Sequence, residues 1–141
     1  MNIEDCLNEG LLAKAKPDLQ KAKASIEMAE HKLELAEKEF EHGIFENAIT
    51  SAYASMFHSA RALLFKDGYK ERSHFAVYVY LNEKYASKIE RKFLSELNSL
   101  RLQRHDLMYG IEKSAEIQEV DAESAIQMAR GFLEAIRKIT N

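Results

Sequence analysis

The chain has 141 residues, 46% of them hydrophobic and 30% charged, with five glycines, one proline, one cysteine and no tryptophan. That length can bury a core without disulfides or a structural metal, and the shortage of Gly and Pro excludes a sandwich or barrel, which needs a turn signal about every 8–12 residues. Twenty basic against 23 acidic side chains, a net −3, exclude a global field that draws the chain to nucleic acid or acidic lipid, while allowing a local basic site.

Residues 2–13 form a short first segment with Ile3, Leu7 and Leu11 on one helical face. Lys16-Pro17 interrupts it, and Pro17 suits the first turn of the next helix, where its missing N–H has no partner to lose. From Leu19 the positions Ala22, Ile26, Ala29, Leu33, Ala36 and Phe40 alternate steps of three and four, with Lys, Glu and Gln outside the seam. This narrow, Ala-rich stripe suits close approach of an antiparallel neighbour, and His42-Gly43 ends it. The third helix runs from about Phe45 to Lys66 and has a wide, nearly uncharged stripe through Ala48, Ile49, Ala52, Tyr53, Met56, Phe57, Ala60, Leu63 and Leu64. It belongs at the centre of the core, and Asp67-Gly68 stops it.

Tyr69 to Arg72 reads as a polar loop, after which Ser73 can cap a helix over residues 74–86. Phe75, Val77, Val79 and Leu81 also alternate as a strand would, but an isolated strand in a helical protein has nothing to pair with. The fifth helix covers about 88–108 on Ile89, Phe93, Leu97 and Leu100. Continuing its steps predicts apolar residues at 104 and at 107 or 108. Leu107 and Met108 comply; Arg104 does not. Tyr109-Gly110 breaks the helix, residues 111–120 are a polar connection, and Asp121 caps a last helix with Ala122, Ala125, Ile126, Ala129, Phe132, Leu133, Ile136 and Ile139 inside. The pattern predicts an all-α, antiparallel up-and-down bundle of about five helices, a single domain over residues 1–141.

The stretch Arg101 to Gly110 is the one dense polar constellation beside an apolar stripe. Arg101 and Arg104 lie one helical turn apart and can converge on one anion. A guanidinium facing inward is costly unless it meets a carboxylate, a phosphate or a partner subunit. A helix end also favours cations for purely structural reasons, and long Arg side chains snorkel. His105 can serve as a general acid or base near neutral pH, and Asp106 beside it is a further polar binding group. Tyr109 can donate a hydrogen bond, but an ordinary pKa of about 10 makes it a poor base. His58 and His74 are candidate binding groups as well, although a single His on an apolar helix is more often a satisfied polar group. Ser51, Ser55 and Ser59, four residues apart, suit close helix packing. No serine elbow, Gly-rich phosphate loop, paired-carboxylate site or zinc spacing is present, so neither metal nor cofactor is expected. Lone Cys6 argues for a reducing compartment. No signal sequence opens the chain, and the longest apolar run, Phe75 to Leu81, is far short of a membrane span. A cytoplasmic protein without membrane contact is expected.

The third helix and its exit, Ala48-Ile49-Thr50-Ser51-Ala52-Tyr53-Ala54-Ser55-Met56-Phe57-His58-Ser59-Ala60-Arg61-Ala62-Leu63-Leu64 followed by Gly68 and Ser73-His74, resembles the middle of small HEPN-domain proteins. The likeness is closest to their short, single-domain prokaryotic branch and covers roughly residues 17–138. The family's signature is an Arg, commonly followed by Asn, Asp or His, then a few residues and a His. Arg104-His105 matches its first pair, but Tyr109 stands where the distal histidine belongs, and only three residues separate Arg101 from His105. The resemblance implies a metal-independent ribonuclease whose site forms between two protomers. In it Arg104 stabilises the phosphate, while His105 or Tyr109 handles the proton. It also implies pairing with a minimal nucleotidyltransferase in a toxin–antitoxin arrangement, in which a tyrosine near the motif is modified.

Three readings follow. The first is a homodimeric HEPN protein, a toxin component, that dimerises through the helices carrying Arg101, Arg104 and Tyr109 and binds RNA or a nucleotide in the resulting cleft. The second adds RNA cleavage with a degenerate Arg-x4-Tyr motif. The alternative is a non-catalytic module that binds a nucleotidyltransferase partner through an exposed apolar surface, drawn from the Ala-rich stripe of the second helix and Tyr69, Phe75, Tyr78 and Tyr80.

Overall fold

The computed structural model describes residues 1–110 and 117–141. Among them the chain forms α1 (Ile3–Asn8), β1 (Leu12–Lys14), α2 (Leu19–Glu41), α3 (Phe45–Asp67), β2 (Tyr69–Glu71), α4 (His74–Lys84), α5 (Arg91–Tyr109) and α6 (Glu119–Thr140). The Ala-rich seam of α2 brings it so close to α3 that serine hydroxyls bond the facing backbone. Ser55 Oγ donates to the Ala29 carbonyl at 2.8 Å, and Ser25 Oγ to the His58 carbonyl at 2.7 Å. The turn between these helices uses Gly43 at φ +74°. Helix α3 is the hub: α2 and α6 pack on it, as do α4 and α5. The result is an all-α bundle, as the stripes predict. Outer ion pairs Arg137–Glu30 and Arg130–Glu37 join α6 to α2. No helix among the described residues is long and apolar enough to cross a membrane.

Several local expectations are corrected. Residues 2–13 are not one helical segment. Gly10, at φ +74°, turns the chain after α1, and β1 then pairs antiparallel with β2, Leu12 opposite Glu71 and Lys14 opposite Tyr69. Residues 69–71 are therefore a strand and not a loop. Three-residue strands are too short to show a period, and their partners are distant in sequence. Pro17 precedes the cap of α2, which is Asp18, whose carboxylate accepts the Lys21 N–H at 3.0 Å. Helix α5 starts at Arg91, leaving buried Ile89 in the connection. Asp121 is the third residue of α6, reaching back to accept the N–H of the capping residue Gln118 at 3.0 Å. Of the expected connection 111–120, residues 111–116 lie outside the described residues, while Glu119 and Val120 are helical. The surface proposed for a docking module is also largely consumed. The α2 stripe lies under α3, Tyr80 is buried, and Phe75 lies beneath a guanidinium.

Candidate functional site

Leu97 and Leu100 fix which side of α5 faces the core, and Arg104 follows on the same stripe one turn later, half-buried. Its guanidinium carbon lies 5.9 Å from the ring centre of Tyr53, on α3. The Arg101 guanidinium lies over Phe75 at 5.2 Å, and its Nε and Nη2 donate to Asn98 Oδ1 at 3.2 and 3.0 Å. Aromatic faces attract these cations without neutralising them. Among the described residues, neither arginine has a carboxylate within ion-pair distance.

Ser73 places the third group. Its hydroxyl accepts the Ala76 N–H at 3.1 Å and starts α4, so His74 is the first residue of that helix. The imidazole stacks on Phe57 with ring centres 4.1 Å apart and planes 15° from parallel. Its Nδ1 lies 2.8 Å from the Tyr53 hydroxyl. His74 remains exposed, whereas Tyr53 is only 2% exposed. Tyr53, Phe57, His74, Phe75, Arg101 and Arg104 thus gather in one cluster where α3, α4 and α5 meet, and its solvent-facing side is the candidate cleft.

The electrostatics follow from this packing. Burial pushes the Tyr53 phenol up to about 12, although Arg104 and Arg101 act in the opposite sense, so the phenol keeps its proton at neutral pH. Burial, then Arg104, Arg101 and Arg61, lower the His74 imidazole from its ordinary range, so it is neutral at pH 7. The positive end of the α4 dipole acts in the same direction. His58 borders the cleft edge-on to Phe57. Burial, followed by Arg61, Lys32 and His74, brings it down to about 4. Arg61 Nε lies 2.7 Å from Glu71 Oε1, tying α3 to β2 beside these histidines. Two cations and a neutral imidazole can together take a phosphate and exchange a proton near it.

The structure brings Arg101, Arg104 and His74 together, with His58 behind Phe57. It does not bring in His105, Asp106 or Tyr109. All three are exposed on the outer side of α5, where the His105 and Tyr109 rings are 5.2 Å apart. Sequence reasoning missed Tyr53 as a polar member of the cleft, since its position in the apolar stripe reads as core. The available signal was that it is the one tyrosine of α3.

Two comparisons bear on this arrangement. The HEPN domain family model matches residues 22–139, which include every residue of the cleft. A protein of Methanocaldococcus jannaschii that bears the name "Putative toxin" is 31% identical over 105 residues, covering 70% of this chain and 73% of its own. With the helical fold built around α3, these matches show that the chain belongs to the HEPN-domain family.

Proposed function

We propose that this protein is a toxin-like HEPN protein that binds RNA in the α3–α4–α5 cleft and cleaves it without a metal ion. One observation carries the reading: Arg101 and Arg104, one turn apart, rest on aromatic faces and have no described carboxylate partner. A phosphodiester supplies the anion this pair needs, with Arg104 stabilising the charge that builds on phosphorus during cleavage. The name of the Methanocaldococcus jannaschii relative supports the toxin-like role. That role brings with it an antitoxin, for which a minimal nucleotidyltransferase is the partner proposed. The exposed C-terminal end of α5, with Leu102, Met108 and Tyr109, is the surface proposed for a second copy of the chain.

With a net charge of −3, binding is to be measured at low salt, using a fluorescent mixed-sequence oligoribonucleotide. Arg104→Ala is expected to weaken binding about 10- to 100-fold, the loss of a charge-assisted hydrogen bond. In the presence of EDTA, the wild-type protein is expected to yield products ending in a cyclic phosphate. Unchanged affinity in Arg104→Ala overturns the site assignment.

A further inference from the structure

We propose that His74 is the proton acceptor for the RNA 2′-hydroxyl in this cleft, with Tyr53 as its positioning residue, so that the histidine partner of Arg104 comes from α4 of the same chain and not from exposed His105 or from Tyr109. The inference rests on the RNA-cleavage reading above and assigns the residue that makes it work.

Four observations support the assignment. The stack on Phe57 fixes the plane of the imidazole, and the Tyr53 hydroxyl fixes its rotation through Nδ1. When the Tyr53 oxygen accepts from Nδ1–H, the Nε2 lone pair is the one left for substrate. The ring is exposed, so a ribose can reach it. Arg104, which shares the Tyr53 ring with it, supplies the phosphate contact on the neighbouring side. His105 shares only the exposure: it lies on the outer face of α5, where its aromatic neighbour is the equally exposed ring of Tyr109.

His74 Nε2 takes the proton of the 2′-hydroxyl, and the 2′-oxygen bonds to phosphorus. The bond from phosphorus to the 5′-oxygen breaks, and that oxygen takes a proton from water. The products are a 2′,3′-cyclic phosphate and a 5′-hydroxyl. The hydroxide left from water then takes the proton from His74. During the step the imidazolium keeps its Nδ1–H on the Tyr53 oxygen. The charged and titratable groups around His74 are Tyr53, His58 and Arg61 on α3, and Arg101 and Arg104 on α5, with Glu71 of β2 held by Arg61. Burial first, and then the arginines, favour the neutral imidazole, the form a base needs. A bound phosphodiester offsets their charge and makes the imidazolium easier to form, so the base strengthens as substrate arrives.

The test is single-turnover cleavage of the same oligoribonucleotide in EDTA by the full chain and its His74→Gln, His105→Gln and Tyr53→Phe variants, with affinity and thermal midpoint measured alongside. His74→Gln is expected to lose about 10²- to 10⁴-fold in rate while binding RNA nearly as well as wild type. His105→Gln is expected to keep the wild-type rate. Tyr53→Phe removes the acceptor for Nδ1–H, so the acidic limb of its pH–rate profile moves to lower pH, a shift that a merely structural role does not produce. Mixing Arg104→Ala with His74→Gln protein is expected to restore nothing, because no chain then carries both groups. Full activity in His74→Gln, an unmoved limb in Tyr53→Phe, or recovery on mixing overturns the assignment while leaving RNA cleavage intact. A wild-type protein that binds RNA without cutting it removes the cleavage reading itself, and this inference with it.

Discussion

At the scale of single residues, Arg104 was legible because it broke a rule. A stripe of Phe93, Leu97 and Leu100 asks for an apolar side chain at 104, and an arginine there has to be answered by something. The answer, Tyr53 and the His74 imidazole beyond it, was not legible, because a tyrosine inside an apolar stripe gives no sign of where its hydroxyl points. Proximity in sequence favoured His105 and Tyr109, and helix geometry places them elsewhere, since one residue along α5 rotates the side chain by about 100°. His58 provides a separate check on the packing. Its pKa is about 4 in the folded protein and 6.5 as the ordinary value, so below about pH 6.5 the unfolded chain binds the extra proton first. Its contribution to stability is therefore full above pH 6.5, declines as pH falls, and levels off below about pH 4. Thermal midpoints recorded from pH 7.5 to 4 are expected to fall less steeply in His58→Gln than in wild type. Parallel curves contradict the buried, arginine-flanked environment described for this ring.

At the scale of elements, the long helices were readable and the short pairings were not. The stripes of α2, α3 and α6 give many turns of evidence each, whereas β1 and β2 offer three residues apiece. Helix ends shifted for a related reason: a cap is one hydrogen bond, and Asp121 can serve as the capping residue or as the third residue reaching back with the same composition. Gly68 shows how tightly one such junction is built. It closes α3 at φ +89°, and a Cβ there would sit 2.8 Å from the Ala15 carbonyl oxygen and 3.0 Å from the Pro17 ring. Gly68→Ala therefore combines a left-handed backbone with a backbone clash and is expected to cost about 2–4 kcal/mol. Denaturant titration measures it, and a loss below about 0.5 kcal/mol, the range of surface substitutions, contradicts this geometry. One residue earlier, the Asp67 carboxylate accepts from the Tyr80 and Tyr85 hydroxyls at 2.7 and 2.6 Å, so the exit of α3 is also what holds α4.

At the scale of the whole molecule, the near balance of acidic and basic residues supplies no global field for RNA, so the proposed contact rests on the local pair Arg101 and Arg104. The same scale holds the question of assembly. Leu102 and Met108 are 50% and 51% exposed on α5, and Tyr109 is 64% exposed beside them. If this end of α5 receives a second copy, the double substitution Leu102→Asp with Met108→Asp is expected to convert a dimer to a monomer in sedimentation velocity while leaving helicity unchanged. An identical sedimentation profile removes α5 from the interface. The β1–β2 ribbon has a consequence of another kind. It joins the N-terminal arm to the residues just ahead of His74, with the Leu11 carbonyl accepting the Arg72 N–H at 2.9 Å. The α2–α3 hairpin needs only a short turn, but this pairing must close a loop that contains both of those helices. Loop-closure entropy places it late in the order of assembly. The bundle therefore sets before its working edge does, and the imidazole takes its final place only once the first residues of the chain have come back to meet it.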